Sequence, residues 1–219
     1  MIKKNEGLQR KEITSISKIG SGKNVTIALE ELCECGFIRC YDNYTTSKNG
    51  KFYQVIDPFV LFAKTFLLNS KFNTWLFYIN TPSYYSWAGH SFEIVCLNNI
   101  SSIKKALGIT GVMTKEYSWK SKKSKPASQI DLLIHRKDMV INVCEMKYSI
   151  DKFSISKEYE ENLKNKLQTF TNEVKPKEQL VLTFITFNGL QKNEHSELVL
   201  SQIDGEQLFG QKLKCYLTF

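Results

Sequence analysis

The chain has 219 residues, of which 42% are apolar and 24% charged, with a formal net charge of +8. That leaves room for one large domain or two small ones with an ordinary globular core. No run reaches the ~18–20 apolar residues of a membrane span, and the opening Met1-Ile-Lys-Lys-Asn-Glu-Gly7 lacks the apolar core of a signal peptide. The expectation is a cytoplasmic protein with no membrane partner. The positive charge points to an acidic partner such as nucleic acid. The cysteines Cys33, Cys35, Cys40, Cys96, Cys144 and Cys215 form no Cys-x-x-Cys pair, and Cys33-x-Cys35 is too close for zinc spacing. Free thiols in a reducing compartment are expected.

Residues 1–57 carry two short helical patterns and then a hairpin. Gln9 to Ile16 is the first helix, and Ser17 to Asn24 is a turn with Gly20 and Gly22 as punctuation. Val25 to Cys35 is the second helix, stopped by Gly36. Phe37 to Tyr41 and Phe52 to Ile56 read as two strands around a polar turn. This is the order of a winged helix, which would make the helix from Val25 the recognition helix. Its outer face carries Glu30, Glu31 and Glu34, which oppose a phosphate backbone. Docking to a protein, or a linker role, suits that face better than reading DNA. Gly20-Ser-Gly-Lys23 is not a phosphate loop, because Ser17 stands where the first glycine belongs and Asn24 follows the lysine.

Residues 58–80 are expected to form a connecting helix that opens at Asp57-Pro58. Phe59, Leu61, Phe62, Phe66 and Leu67 give it an apolar face suited to joining two domains. Trp75, Tyr84, Tyr85 and Trp87 are read as core and interface aromatics. Ser91 to Leu97, with Glu93, is an amphipathic helix, and Ser101 to Leu107 continues helical. Thr114 to Pro126 reads as a loop in which Lys120, Lys122, Lys123 and Lys125 sit beside Tyr117 and Trp119. Basic residues interleaved with aromatics suit a grip on a phosphate backbone. A solvated loop is the alternative.

The centre of the chain is Gln129 to His135, a polar turn Arg136-Lys-Asp138, and Met139 to Lys147. Ile130, Leu132 and Ile134 alternate with period two, and the second run is almost wholly β-favouring. Glu145 and Lys147 are two apart on a strand, so they share a face. Asp131 joins them if the turn has an odd residue count; a slip of one residue would send it to the other side. Two carboxylates at one point repel and call for a cation between them. Oxygen ligands suit Mg²⁺ or Mn²⁺, and a neighbouring lysine could stabilise charge on a scissile phosphate. An edge hairpin with its charges in solvent is the competing reading.

Asp131 followed by Glu145-x-Lys147 on a hydrophobic strand resembles the PD-(D/E)XK nuclease superfamily, with Ile130 where proline is common. The resemblance implies a restriction-endonuclease-like α/β domain over 81–219, its mixed sheet flanked by helices. It implies Asp131 and Glu145 as metal ligands, Lys147 as the catalytic lysine and Glu93 as a supporting acid. With Tyr53-x-x-x-Asp57-Pro58-Phe59 and Phe92-Glu93 added, the whole chain is similar to the C-terminal part of archaeal-type AAA ATPases, where a winged helix precedes a nuclease-like domain. That implies DNA and an ATPase module as partners.

Lys157 to Asn172 is the next helix, with an apolar stripe of Tyr159, Leu163, Leu167 and Phe170. Lys164, Lys166 and Gln168 are its polar residues to test near a substrate; a solvated face is the simpler reading. Gln179 to Phe187 completes a strand–helix–strand unit. Leu198 to Leu200 and Leu213 to Leu217 are expected as late short elements, and His195 as an exposed loop residue. Two functions follow: a Mg²⁺-dependent DNA nuclease, or a non-catalytic interaction module that serves an ATPase.

Overall fold

A computed structural model describes residues 7–20, 22–44, 51–68, 75–121 and 128–210. Contacts divide the chain into two compact units, with the boundary between Ile94 and Val95.

The first unit opens with β1 (Leu8–Gln9), α1 (Arg10–Ser17), α2 (Lys23–Glu34), β2 (Ile38–Tyr41) and β3 (Phe52–Val55). The strands form an antiparallel sheet in the order β1-β3-β2. Helix α1 starts with a capping box, in which the Gln9 N–H donates to Glu12 Oε2 at 2.7 Å. Helix α2 ends where Gly36 turns left-handed at φ 75°. The apolar positions of both helices bury Ile13 and Leu29 against Ile38, packed by Val25, Tyr53 and Val55. Glu30, Glu31 and Glu34 face solvent.

Asp57 then caps α3 (Pro58–Phe62), accepting the Val60 N–H at 2.6 Å, with proline in the first turn. A π-helical stretch, Ala63–Leu67, and a short 3₁₀ turn, Trp75–Tyr78, follow. The expected single connecting helix is therefore broken into short pieces. Leu61 and Phe66 are buried, whereas Phe59 and Leu67 point outward. The Trp87 ring packs edge-on to Phe62 and Phe66. Helix α4 (Pro82–Asn98) starts well before Ser91 and contains the boundary between the units.

The second unit is built on α5 (Ile100–Ala106), β4 (Thr114–Lys120), β5 (Gln129–Arg136), β6 (Val140–Lys147), α6 (Lys157–Val174), β7 (Gln179–Thr186), β8 (Ser201–Ile203) and α7 (Gly205–Phe209). Its five-stranded sheet runs in the order β4-β5-β6-β7-β8. The first three strands are antiparallel neighbours, and β6, β7 and β8 are parallel. Parallel neighbours need a crossover, and α6 provides it between β6 and β7. Helices flank the sheet. On one face α6 meets it through Phe170 against Trp119, with centroids 5.1 Å apart, and Tyr159 against Phe184. On the other face Cys96, near the end of α4, lies beside Cys144, whose thiol pKa is driven up by burial and by Cys96 and Glu145. Among the described residues no helix is long and apolar enough to cross a membrane.

The structure differs from the sequence reading at Thr114–Lys120. This segment is an edge strand rather than a loop, and Trp119 is a core residue at 1% exposure rather than part of a phosphate grip. The reason is that Tyr117 and Trp119 are two apart with polar residues between and beside them, which is a strand pattern. A bulge between Tyr117 and Trp119 interrupts the register there. The late strand is Ser201–Ile203, just beyond the expected Leu198–Leu200, and residues 213–217 lie outside the described residues.

Three residues, Lys137 to Met139, join β5 to β6. Met139 sits at φ 66°, a left-handed conformation that costs a side chain about 1 kcal/mol. Met139 is also exposed. Met139→Gly is expected to stabilise the protein by about 1 kcal/mol, read as a raised urea midpoint with an unchanged slope.

Candidate active site

The β5–β6 ladder fixes the site. Leu132 pairs with Cys144, Leu133 with Val143, Ile134 with Asn142 and His135 with Ile141. The β5–β6 pairing ends at Leu132 and Cys144; Asp131 and Glu145 are the next residues of each strand, β5 carries one extra residue against β4 at Asp131 and Leu132, and the Glu145 side chain faces α6. Lys147, two residues on from Glu145, shares that face as well. These positions lie at the carboxyl end of β6, next to the carboxyl end of its parallel neighbour β7. Ligands of α/β sheets commonly bind outside the carboxyl ends of parallel strands.

Asp131 is half-buried, and its Oδ1 accepts the side-chain amide of Gln129 at 2.6 Å. The Asp131 carbonyl accepts the Ser118 hydroxyl at 2.7 Å, where Asp131 and Leu132 of β5 stand against the single Ser118 of β4 in a bulge. Glu145 is buried, with only 11% of its side chain exposed. Its Oε2 accepts Lys166 Nζ at 2.6 Å, and its Oε1 accepts the Tyr159 hydroxyl at 2.5 Å. Lys147 Nζ stands 3.4 Å from Oε1 and 5.5 Å from the centre of the Tyr159 ring. Both lysines are more open than the glutamate, Lys166 at 24% and Lys147 at 34%.

Burial opposes the Glu145 charge and by itself raises its pKa. The Lys166 ammonium, then Lys147 and the hydrogen bonds from Lys166 and Tyr159, outweigh burial and hold the carboxyl below its ordinary value. Glu145 is thus an ionised carboxylate enclosed by two ammonium groups and a phenol.

Tyr159 and Lys166 come from α6, whose first turn is capped by Ser156. The two residues are seven apart, which is two helical turns, so they project on one side together with the buried Leu163 and Phe170. The apolar stripe places Tyr159 on the inner face, but not as a partner of Glu145. From the sequence Lys166 reads as a solvated lysine, since no local pattern marks an acid across the interface. The signal that locates it is its i+7 spacing from Tyr159.

The remaining expected residues are placed as follows. Lys120 ends β4, half-buried and paired across the ladder with Gln129. Lys122, Lys123 and Lys125 lie outside the described residues. Glu93 lies on α4 in the first unit, where its Oε2 is 3.3 Å from His90 Nδ1. His195 is not an exposed loop residue: it lies in a 3₁₀ turn with Nδ1 2.8 Å from Glu160 Oε2. His135, at the far end of β5, meets Glu178 at 2.9 Å. Among the described residues no three His, Cys, Asp or Glu side chains gather into a metal-binding group. No family model, curated protein or solved structure matches the chain. What the fold defines is a mixed α/β protein with a five-stranded sheet flanked by helices.

A carboxyl with a lowered folded-state pKa stabilises the fold above its unfolded value, near 4.5 for glutamate, and that gain is lost as pH falls through the lower folded value. Lys166→Met is expected to cost about 3 kcal/mol at neutral pH, because it leaves a buried carboxylate short of its closest cation. It is also expected to flatten the fall in stability below pH 4.5, since the lowering of the Glu145 pKa is mostly removed. Urea unfolding of wild type and variant between pH 3 and 7 checks both effects.

Proposed function

We propose that this protein is a metal-dependent phosphodiester hydrolase acting on DNA, with its site at Asp131, Glu145 and Lys147. The observation that carries this reading is Glu145: a buried, ionised carboxylate ringed by ammonium groups at an open strand end, with Asp131 on the neighbouring strand β5. The element order supports it, since α5, three antiparallel strands, α6 and the parallel β7 follow the helix–strand arrangement of the PD-(D/E)XK nucleases. Helices α1 and α2 with the β2–β3 hairpin support a winged helix ahead of it, and the acidic outer face of α2 supports docking to a protein such as an ATPase module over contact with DNA.

The donor set fits Mg²⁺ or Mn²⁺. Both groups are carboxylates, and Mg²⁺ commonly takes one or two of these with water and substrate phosphate completing its shell. Lys166 and Tyr159 each occupy one Glu145 oxygen, but a carboxylate has about four lone-pair sites, so room for a cation remains. Asp131 and Glu145 would hold the ion, whose chemistry is to acidify a bound water and polarise a phosphoryl oxygen. Lys147, the more exposed of the two lysines, is placed to donate to a phosphate oxygen and to offset charge that develops there. Lys166 and Tyr159 keep Glu145 charged and fixed in position. Gln129 does the same for Asp131.

One observation favours a second reading. Two lysines already neutralise Glu145, as in a structural ion pair, and this suits a nuclease-like scaffold that binds without cutting. Labelled linear, branched and single-stranded DNA incubated with Mg²⁺, Mn²⁺ or EDTA separates the two. Hydrolysis is expected with metal and not with EDTA. Glu145→Gln and Asp131→Asn are each expected to lower the rate at least about 100-fold, and Lys147→Met by a similar factor. Cutting at the wild-type rate by folded Glu145→Gln, or none by folded wild type, moves the assignment to the scaffold.

A further inference from the structure

The first unit contains a cleft of about 380 Å³ that the reading above does not use. Lys64 and Thr65 line it from the π-helical stretch Ala63–Leu67, and Ser83, Ser86, Trp87 and His90 from α4. The π-turn is real in its hydrogen bonding, since the Leu68 N–H reaches back five residues to the Ala63 carbonyl at 2.8 Å. Such turns are rare and gather at functional sites.

Lys64 is half-buried, yet it meets no acid and no hydrogen-bond partner among the described residues. Burial alone pushes its ammonium pKa down, with no carboxylate to offset it. Glu93, an acid on α4, is held by His90. At the start of α4 the Thr81 hydroxyl accepts the Tyr84 N–H at 3.3 Å, and no acidic residue lies in that first turn. The indole N–H of Trp87 is buried without an acceptor. A lysine, a helix start and hydroxyls thus converge on one concave surface, and among the described residues Lys64 meets no negative partner there. Buried charge in this state is costly unless a ligand supplies the counter-charge.

We propose that this cleft is an anion-binding site for a small phosphate- or carboxylate-bearing ligand, with Lys64 as the charge partner, the α4 N-terminus and the hydroxyls of Ser83 and Ser86 as further donors, and the Trp87 ring as an apolar wall. The site lies wholly within the first unit and is independent of the β5–β6 residues.

Calorimetric titration of the full chain with inorganic phosphate, with acetate run in parallel, tests it. Saturable binding of phosphate is expected, weakened at least about ten-fold by Lys64→Met and kept by Lys64→Arg, as loss of one charge-assisted hydrogen bond implies. Lys64→Met is also expected to raise Tm without ligand, because it removes an unpaired, half-buried charge of similar volume. Phosphate binding without acetate binding assigns a phosphorylated ligand; binding of both assigns a broader anion site. Equal binding by wild type and folded Lys64→Met would overturn the proposal. So would the absence of binding by either anion.

Discussion

A carboxylate taken out of water must be compensated, and the second unit meets that demand at Glu145. The acid sits on the penultimate turn of the pleat of β6, where the strand is still covered by α6. Lys166 and Tyr159 reach it from that helix, and Lys147 from the same strand. Without them burial would favour the neutral acid; with them the charge persists. The interaction also locks α6 onto the sheet at a polar point. Trp119 against Phe170 and Tyr159 against Phe184 provide the apolar contacts on either side. Dispersion and hydrophobic burial set how tightly the helix packs, while the ion pair sets where it stops along the strand.

The register of one hairpin decides whether that charge stands alone. An even connection between β5 and β6 would turn Asp131 to the opposite face, in among Ile130-type core positions. The three-residue turn, with Met139 held left-handed, sets the register that pairs His135 with Ile141 and Leu132 with Cys144. The bulge in β5 at Asp131 and Leu132 is tied to β4 through Ser118 and the Asp131 carbonyl.

Much of this was legible in the sequence because strand alternation is a strong signal. The β5–β6 hairpin, the grouping of Glu145 with Lys147, the crossover helix and β7 all follow from periodicity. The two short helices and the hairpin of the first unit follow from capping and turn residues, with Gly36 marking the end of α2. The edge strand β4 was hidden because its lysines and those that follow it resemble a basic loop, and only tertiary packing shows Trp119 as core. Lys166 was hidden for the complementary reason: a charge on a helix reads as solvated until a buried acid across the interface claims it. Similarly, Glu160 claims His195. Contacts between elements distant in the chain carry no local pattern, and this is where the sequence runs out.

The most direct measurement is an NMR titration of the Glu145 side-chain carboxyl carbon from pH 2 to 7, with and without Mg²⁺. Expected is a midpoint below the ordinary value near 4.5 in the metal-free protein, with the resonances of both Glu145 and Asp131 shifting when Mg²⁺ is added at neutral pH. A midpoint at or above 4.5, together with resonances that ignore Mg²⁺, would contradict both the held charge and the cation site built on it.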